Sequence, residues 1–144
     1  MIAVDTNILV YAQRIDSPWF DAADRCITEL AEGAIPWAIP WPCLHEFLSV
    51  VTHPRIYRPC TALPKAIEQV ESWLASPSLT LLGSGPGHWQ ALKTTIVSGN
   101  ITGPAIHDAR IAALCREHGV STLWSADRDF SRFAGLKVVN PLVL

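Results

Sequence analysis

Five acidic side chains of this sequence stand where apolar neighbours leave charge unexplained: Asp5, Glu46, Asp108, Asp127 and Asp129. Asp5 follows "MIAV" and Asp127 follows "VSTLW", both short apolar runs that read as buried strands. Asp108 has Ala105, Ile111 and Ala112 as its helical neighbours at three and four residues. Glu46 shares its helical face with Cys43 and Val50. A carboxylate in such surroundings needs a counter-charge or a metal, because desolvating it alone is very costly. Gathered carboxylates also raise one another's pKa unless a cation sits among them. Oxygen ligands alone favour hard ions, and magnesium in particular bridges carboxylates to phosphates. The chemistry this implies is metal-assisted hydrolysis of a phosphodiester, with the ion lowering the pKa of a water and offsetting charge on the phosphate.

Each acid also has an ordinary explanation. Asp5, in "VDTNIL", is as well placed to cap a helix as to serve a site, although Thr6 and Asn7 can cap in its stead. Glu46 alone would reach solvent. Asp108 becomes a cap if its helix starts there. One of Asp127 and Asp129 can cap the turn at "RDFSRF", and Arg128 or Arg132 can pair with either. Four acids, two at strand ends and two on inward helix faces, are harder to explain one at a time.

The elements that must position them alternate along the chain. Strands are expected at "MIAV", "WAIP", "LTLL", "VSTLW" and "LKVV". Between them lie helical patterns: "NILVYAQR"; "SPWFDAADRCITELAEG", with Ser17 as N-cap, Pro18 at the first helical position and Gly33 as terminator; "WPCLHEFLSVVTH"; "ALPKAIEQVESWLAS"; "GHWQALKTTIVSG", stopping at Gly99; and "GPAIHDARIAALCREHG", ending at Gly119. Such alternation implies an α/β fold with a mainly parallel sheet covered on both faces. Ligands of such sheets bind at the carboxyl ends of the strands, near a switch in strand order. Asp5 and Asp127 both fall at that edge.

Composition sets the outer limits. With 144 residues the chain is expected to be one domain, residues 1–144, around a single core. At 49% hydrophobic and 17% charged it is globular rather than disordered. Six tryptophans are many for the length, and the core is the expected place for most of them. A net charge of -2 lacks the basic excess usual in nucleic-acid binders, but a local basic rim around an acidic centre is compatible with it. Cys26, Cys43, Cys60 and Cys115 make no C-x-x-C pair, and "MIAVDTN" opens without a signal core. No apolar run is long enough to span a bilayer, so a cytoplasmic protein with free thiols and no membrane partner is expected.

The ordered set "VDTNIL", a helical Glu46 in the first third, "HDARIAAL" and "LWSADRDF" resembles the PIN-domain nucleases, particularly the VapC-type toxins of bacterial toxin–antitoxin pairs. The likeness covers almost the whole chain. "DTN" alone is a weak motif and "DRDF" a moderate one; their order after a short strand is the specific feature. The resemblance implies a three-layer α/β/α sandwich and single-strand-directed cleavage of RNA supported by Mg2+ or Mn2+. It implies that Asp5, Glu46, Asp108 and Asp127 are the acidic quartet, with Asp5, Asp108 and Asp127 as metal ligands. Asp129 then resembles the auxiliary acid of the D-x-D-F motif, and Thr6, Asn7 and Ser125 resemble residues that support the acidic site from behind. One departure is visible: the family often has serine or threonine shortly before the glutamate, where this chain reads "WPCLHE". The resemblance further implies a homodimer held inactive by a cognate antitoxin protein.

Other chemistries fit less well. His45–Glu46 opens like H-E-x-x-H, but the next histidine is His53, and Cys43, His45, His53 and Cys60 match no common zinc spacing. "GSGPG" lacks the Lys-Ser/Thr of a P-loop, nothing supports Ser–His–Asp catalysis, and Asn7 stands where an aspartyl phosphotransfer fold would want a second acid. Alternatives that stay open are a DNA-cutting enzyme of similar fold and a non-catalytic RNA- or protein-binding module. For RNA contact the sequence offers Arg55, Tyr57 and Arg58 in "HPRIYRPC", together with Arg14, Arg110, Arg128 and Arg132 as rim candidates. An ordinary proline-bounded surface loop is the competing explanation for that segment.

Overall fold

A computed structural model describes residues 1–143. Five short strands, β1 (Ile2–Val4), β2 (Trp37–Pro40), β3 (Leu79–Leu82), β4 (Thr122–Trp124) and β5 (Lys137–Val139), form one parallel sheet in the order β3-β2-β1-β4-β5. The central strands are continuous apolar runs because both faces are covered: Ala3, Val4, Trp37, Ala38, Ile39 and Leu123 have no solvent exposure. Six helices cover them: α1 (Thr6–Gln13), α2 (Phe20–Glu32), α3 (Trp41–Val51), α4 (Leu63–Leu74), α5 (His88–Gly99) and α6 (Ile106–Glu117). The chain steps from β1 through β2 to β3 in one direction, then returns across the sheet to β4. Right-handed crossovers therefore put α1–α4 on one face and α5–α6 on the other. The packed pairs agree, with α1 against α2 and α3, α3 against α4, and α5 against α6. This is the expected α/β/α sandwich, and its strand order reverses between β1 and β4.

The core is set by large side chains at the helix–sheet seams. Phe47 of α3 is fully buried, and its ring centroid lies 4.8 Å from that of Trp73 on α4. Trp37 is also fully buried, and its indole N–H donates to Ser76 Oγ at 3.2 Å, so its one polar atom is satisfied. Each such burial contributes about 1.5–3 kcal/mol. The tryptophans are otherwise less central than expected: Trp19, Trp41 and Trp89 stand exposed. No described helix is long and apolar enough to cross a membrane, and all four cysteines are free thiols.

Helix ends account for the remaining departures. α2 begins at Phe20 and not at Pro18, because Ser17 Oγ accepts the N–H of Trp19 two residues on and closes a turn there instead of capping a helix. α5 ends at Gly99 as expected, but the left-handed residue that stops it is Asn100, with φ 49°. A short 3-10 turn, Gly103–Ala105, leads into α6, so Asp108 lies inside the helix and is not its cap. At the other end Gly119 takes φ 67°, the N–H of Val120 reaches the Cys115 carbonyl at 2.8 Å, and that of Gly119 reaches Arg116 at 3.3 Å. This closure turns the chain directly into β4 and anchors the helix that carries Asp108.

Candidate active site

The acids meet at the carboxyl edge of the sheet, where β1 and β4 lie side by side. The backbone N–H of Asp5 donates to the Trp124 carbonyl at 2.9 Å, which continues the strand pairing one residue past β1. Asp5 occupies the N-cap position of α1, yet its side chain makes no capping bond. Its carboxylate turns the other way. Ser125 Oγ donates to Oδ2 at 2.8 Å, and the Cys43 thiol donates to Oδ1 at 3.6 Å. Burial raises the Asp5 carboxyl from 3.8 to about 6, against the pull of the Ser125 hydroxyl, and the charge of Glu46 adds to the rise. Burial likewise lifts the Cys43 thiol well above its ordinary range, so it stays a protonated donor.

Ser125 ties the two strand ends together. Its Oγ accepts the backbone N–H of Asp127 at 2.9 Å while donating to Asp5. Asn7 completes the arrangement: Oδ1 accepts the Ala126 N–H at 3.2 Å, and Nδ2 points to Ser125 Oγ at 3.5 Å. Neither Thr6 nor Asn7 caps α1, the role first open to them. Thr6 is the exception to local satisfaction. Its hydroxyl is buried with no hydrogen-bond partner among the described residues, and the residue lines the cavity that holds the acids.

Asp127 both caps a turn and lines the cavity. Oδ1 accepts the N–H of Asp129 at 2.9 Å, capping the 3-10 turn Arg128–Arg132, and the same residue lines the cavity. Capping and site duty are compatible because a carboxylate offers about four acceptor positions. Asp108 faces it from the first turn of α6. Burial raises the Asp108 carboxyl, the charge of Asp127 raises it further, and Arg132 opposes both. Arg132 Nη2 lies 3.7 Å from Asp108 Oδ2, so its ionic partner is Asp108 and not Asp127 or Asp129 as the sequence suggested; its Nε donates instead to the Asp129 carbonyl at 3.0 Å. Glu46 enters the cavity lining from α3 but is exposed, not inward-facing as its apolar neighbours suggested.

Asp5, Glu46, Asp108 and Asp127 thus line one open cavity of about 230 Å3. Single carboxylate oxygens of Asp108, Asp127 and Asp129 lie within 4.8 Å of one another. The donors are oxygens only, and the residue with the unpartnered hydroxyl, Thr6, lines the same cavity as Asp108 and Asp127; such a set suits a hard divalent cation. The candidates for RNA contact divide. Tyr57 lines the cavity, whereas Arg55, Arg58 and Arg110 are exposed and lie outside its lining. Arg14 is no free rim charge either, being chelated by Asp16. Cys43 was missed as a partner of Asp5, although its place three residues before Glu46 on the same helix puts both on one face.

Comparison with known proteins agrees with this geometry. The PIN domain family model matches residues 2–136. Ribonuclease VapC43 of Mycobacterium tuberculosis is 34% identical over 142 residues, covering 99% of this chain and 96% of that one. Ribonuclease VapC48 of the same species is 31% identical over 137 residues, covering 95% and 94%. Among solved structures, VapBC2 from Rickettsia felis bound to a promoter DNA fragment aligns with a TM-score of 0.70 at 19% identity, over 96% of this chain and 98% of that one. VapC20 of Mycobacterium tuberculosis, a Sarcin-Ricin loop cleaving toxin, aligns at 0.66 and 16% identity over 94% and 98%. A family match over nearly the whole length, full-length relatives above 30% identity and an acid-lined switch point in the sheet converge on one assignment: the chain belongs to the PIN-domain family.

Proposed function

We propose that this protein is a Mg2+- or Mn2+-dependent endoribonuclease that acts as the toxin of a toxin–antitoxin pair. The observation that carries this is the convergence of four acids from four separate elements on one open cavity. The ribonuclease names of the full-length relatives support RNA as the substrate. Asp5, Asp108 and Asp127 would hold the ion, with Asp129 beside them. When bound, such an ion lowers the pKa of water and offsets charge on the phosphate oxygens.

The chain's own groups have separable tasks. Ser125 and Cys43 hold the Asp5 carboxylate with both oxygens already donated to, which limits its rotation. Asn7 fixes the backbone of the β4 loop, so Asp127 keeps its position relative to Asp5. Glu46 has no ion-pair partner among the described residues and stands at the solvent side of the cavity. It is the carboxylate free to take a proton from the attacking water.

Residues 1–144 act as one domain in the cytoplasm, as a homodimer and under an antitoxin. An exposed apolar stripe supports protein partners: Leu63, Ile67 and Leu74 lie along one face of α4 and are 59%, 43% and 43% exposed. The test of the whole reading is cleavage of a mixed structured RNA by antitoxin-free protein, with added Mg2+ or Mn2+ and with EDTA. Cutting that requires the metal and disappears in Asp108→Asn supports it. Undiminished cutting by a folded Asp108→Asn variant would refute it.

A further inference from the structure

One side chain in the cavity wall answers to nothing in the metal chemistry. Tyr57 lies on the loop between α3 and α4 and lines the cavity beside Tyr11 of α1. The guanidinium of Arg14 covers its ring, 4.3 Å from the centroid. Arg14 is itself held on all sides. Nε and Nη2 donate to Asp16 Oδ1 and Oδ2 at 2.9 and 2.6 Å, and Nη1 donates to Thr61 Oγ1 at 3.2 Å. Thr61 in turn donates to Gln13 Oε1 at 2.9 Å, and its backbone N–H reaches the Val51 carbonyl at 2.7 Å.

An arginine only 10% exposed, with its charge met by a bidentate carboxylate, is not available to bind phosphate. What it does is brace an aromatic ring at the rim of an acid-lined cavity. A ring held in advance loses little freedom when a flat partner lies on it. Arg55 and Arg58, on the same loop, are exposed and lie outside the lining, so the loop contributes to the cavity wall an aromatic and not a charge. Every nucleobase has a π-face, and stacking on an aromatic side chain is tolerant of sequence but requires a base that has left its own helix.

We propose that Tyr57, braced by Arg14, is a stacking platform for an unpaired nucleobase next to the phosphate at the acids. This rests on the ribonuclease reading and deepens it: the preference for unpaired RNA that the family resemblance implies would be read here by stacking on Tyr57 and not by backbone charge.

The experiment separates the two. In the Asp5→Asn chain, with EDTA added to suppress residual cleavage, binding of a short labelled oligoadenylate is compared with that of its abasic counterpart. The abasic strand keeps every phosphate, so the salt-dependent backbone attraction is common to both. The base-bearing strand is expected to bind roughly five- to a hundredfold more tightly. Adding Tyr57→Leu should erase that gap, and adding Tyr57→Phe, which keeps the ring, should preserve it. No gap, or a gap that survives Tyr57→Leu, overturns the platform. A Tyr57→Leu variant that weakens both strands equally makes Tyr57 a folding clasp only, which also overturns it. If wild-type protein cuts no RNA while the gap is present, the nuclease reading fails and the platform stands.

Discussion

The two halves of the acid site are built in opposite ways. The inner half, around Asp5, is buried and tied: Ser125, Cys43 and Asn7 link the ends of β1 and β4 through a chain of hydrogen bonds, and Asp5 itself is only 4% exposed. The outer half, around Asp108, Asp127 and Asp129, is partly exposed and is opposed by Arg132, itself 41% exposed, 3.7 Å from Asp108. A buried carboxylate keeps its geometry at a cost in stability, because the charged form is desolvated. The outer carboxylates are only partly desolvated, but they crowd one another, so burial and the charge of Asp127 both raise Asp108 and a cation would relieve them. In the proposed reading the inner half would fix position and the outer half would meet the incoming ion.

The sharpest way to break this contrast is Asp5→Asn. Cleavage should fall roughly 10²–10³-fold, the scale of losing one aligned electrostatic group. Stability of the metal-free protein should move the other way. A carboxyl raised from 3.8 to about 6 holds its proton more tightly folded than unfolded. The stability this brings is fully present below about pH 4 and is lost as pH rises through about 6. Wild type should therefore weaken across that window by up to about 3 kcal/mol relative to the variant. Denaturant unfolding in EDTA at pH 4 and pH 7.5 checks this; a variant no more stable than wild type at pH 7.5 would show that Asp5 is not strained by its burial.

Ser125→Ala comes next. It orphans the Asp127 N–H and removes the hydroxyl from Asp5, so activity should fall roughly 10–100-fold and the fold should lose about 1–3 kcal/mol. Activity unchanged despite a measured loss of stability would mean that the inner half does not position the acids. Asp129→Asn, on the exposed side, should cost roughly tenfold in activity with melting temperature unmoved, and a collapse of the fold would contradict the division. The smallest effect expected is from Arg132→Gln. Removing the cation that competes for Asp108 should tighten Mn2+ binding roughly two- to fivefold, in line with an exposed pair. Titration of Mn2+ by its paramagnetic signal reads this directly, and weaker binding would make Arg132 part of the site and not a competitor.

Much of this was legible along the chain. Strand positions followed from short apolar runs, and the parallel sheet from their alternation with helices, because both faces of such strands must be apolar. Asp5 and Asp127 could be placed at one edge from that alternation alone. The pairing of Arg132 was not legible, since Asp127, Asp129 and Asp108 were all candidates and only the approach of α6 to the 3-10 turn selects Asp108. Helix starts were unreliable for a related reason: Ser17 has the right residue type for a cap, but its hydroxyl closes a turn instead. The role of Cys43 depended on a contact between residues 38 positions apart.

What the sequence by itself determined is therefore local: which segments are strands or helices, and which residues carry charge in apolar company. Tertiary structure alone decided partnership. Hydrogen bonds and ion pairs depend on ångström-scale distances between segments, and such distances are set by how strands register and helices pack, not by residue type. That is why Asp5 could be recognised from its neighbours in the chain, while the groups that hold its carboxylate, and the arginine that braces Tyr57, could be recognised only once the sheet had brought them together.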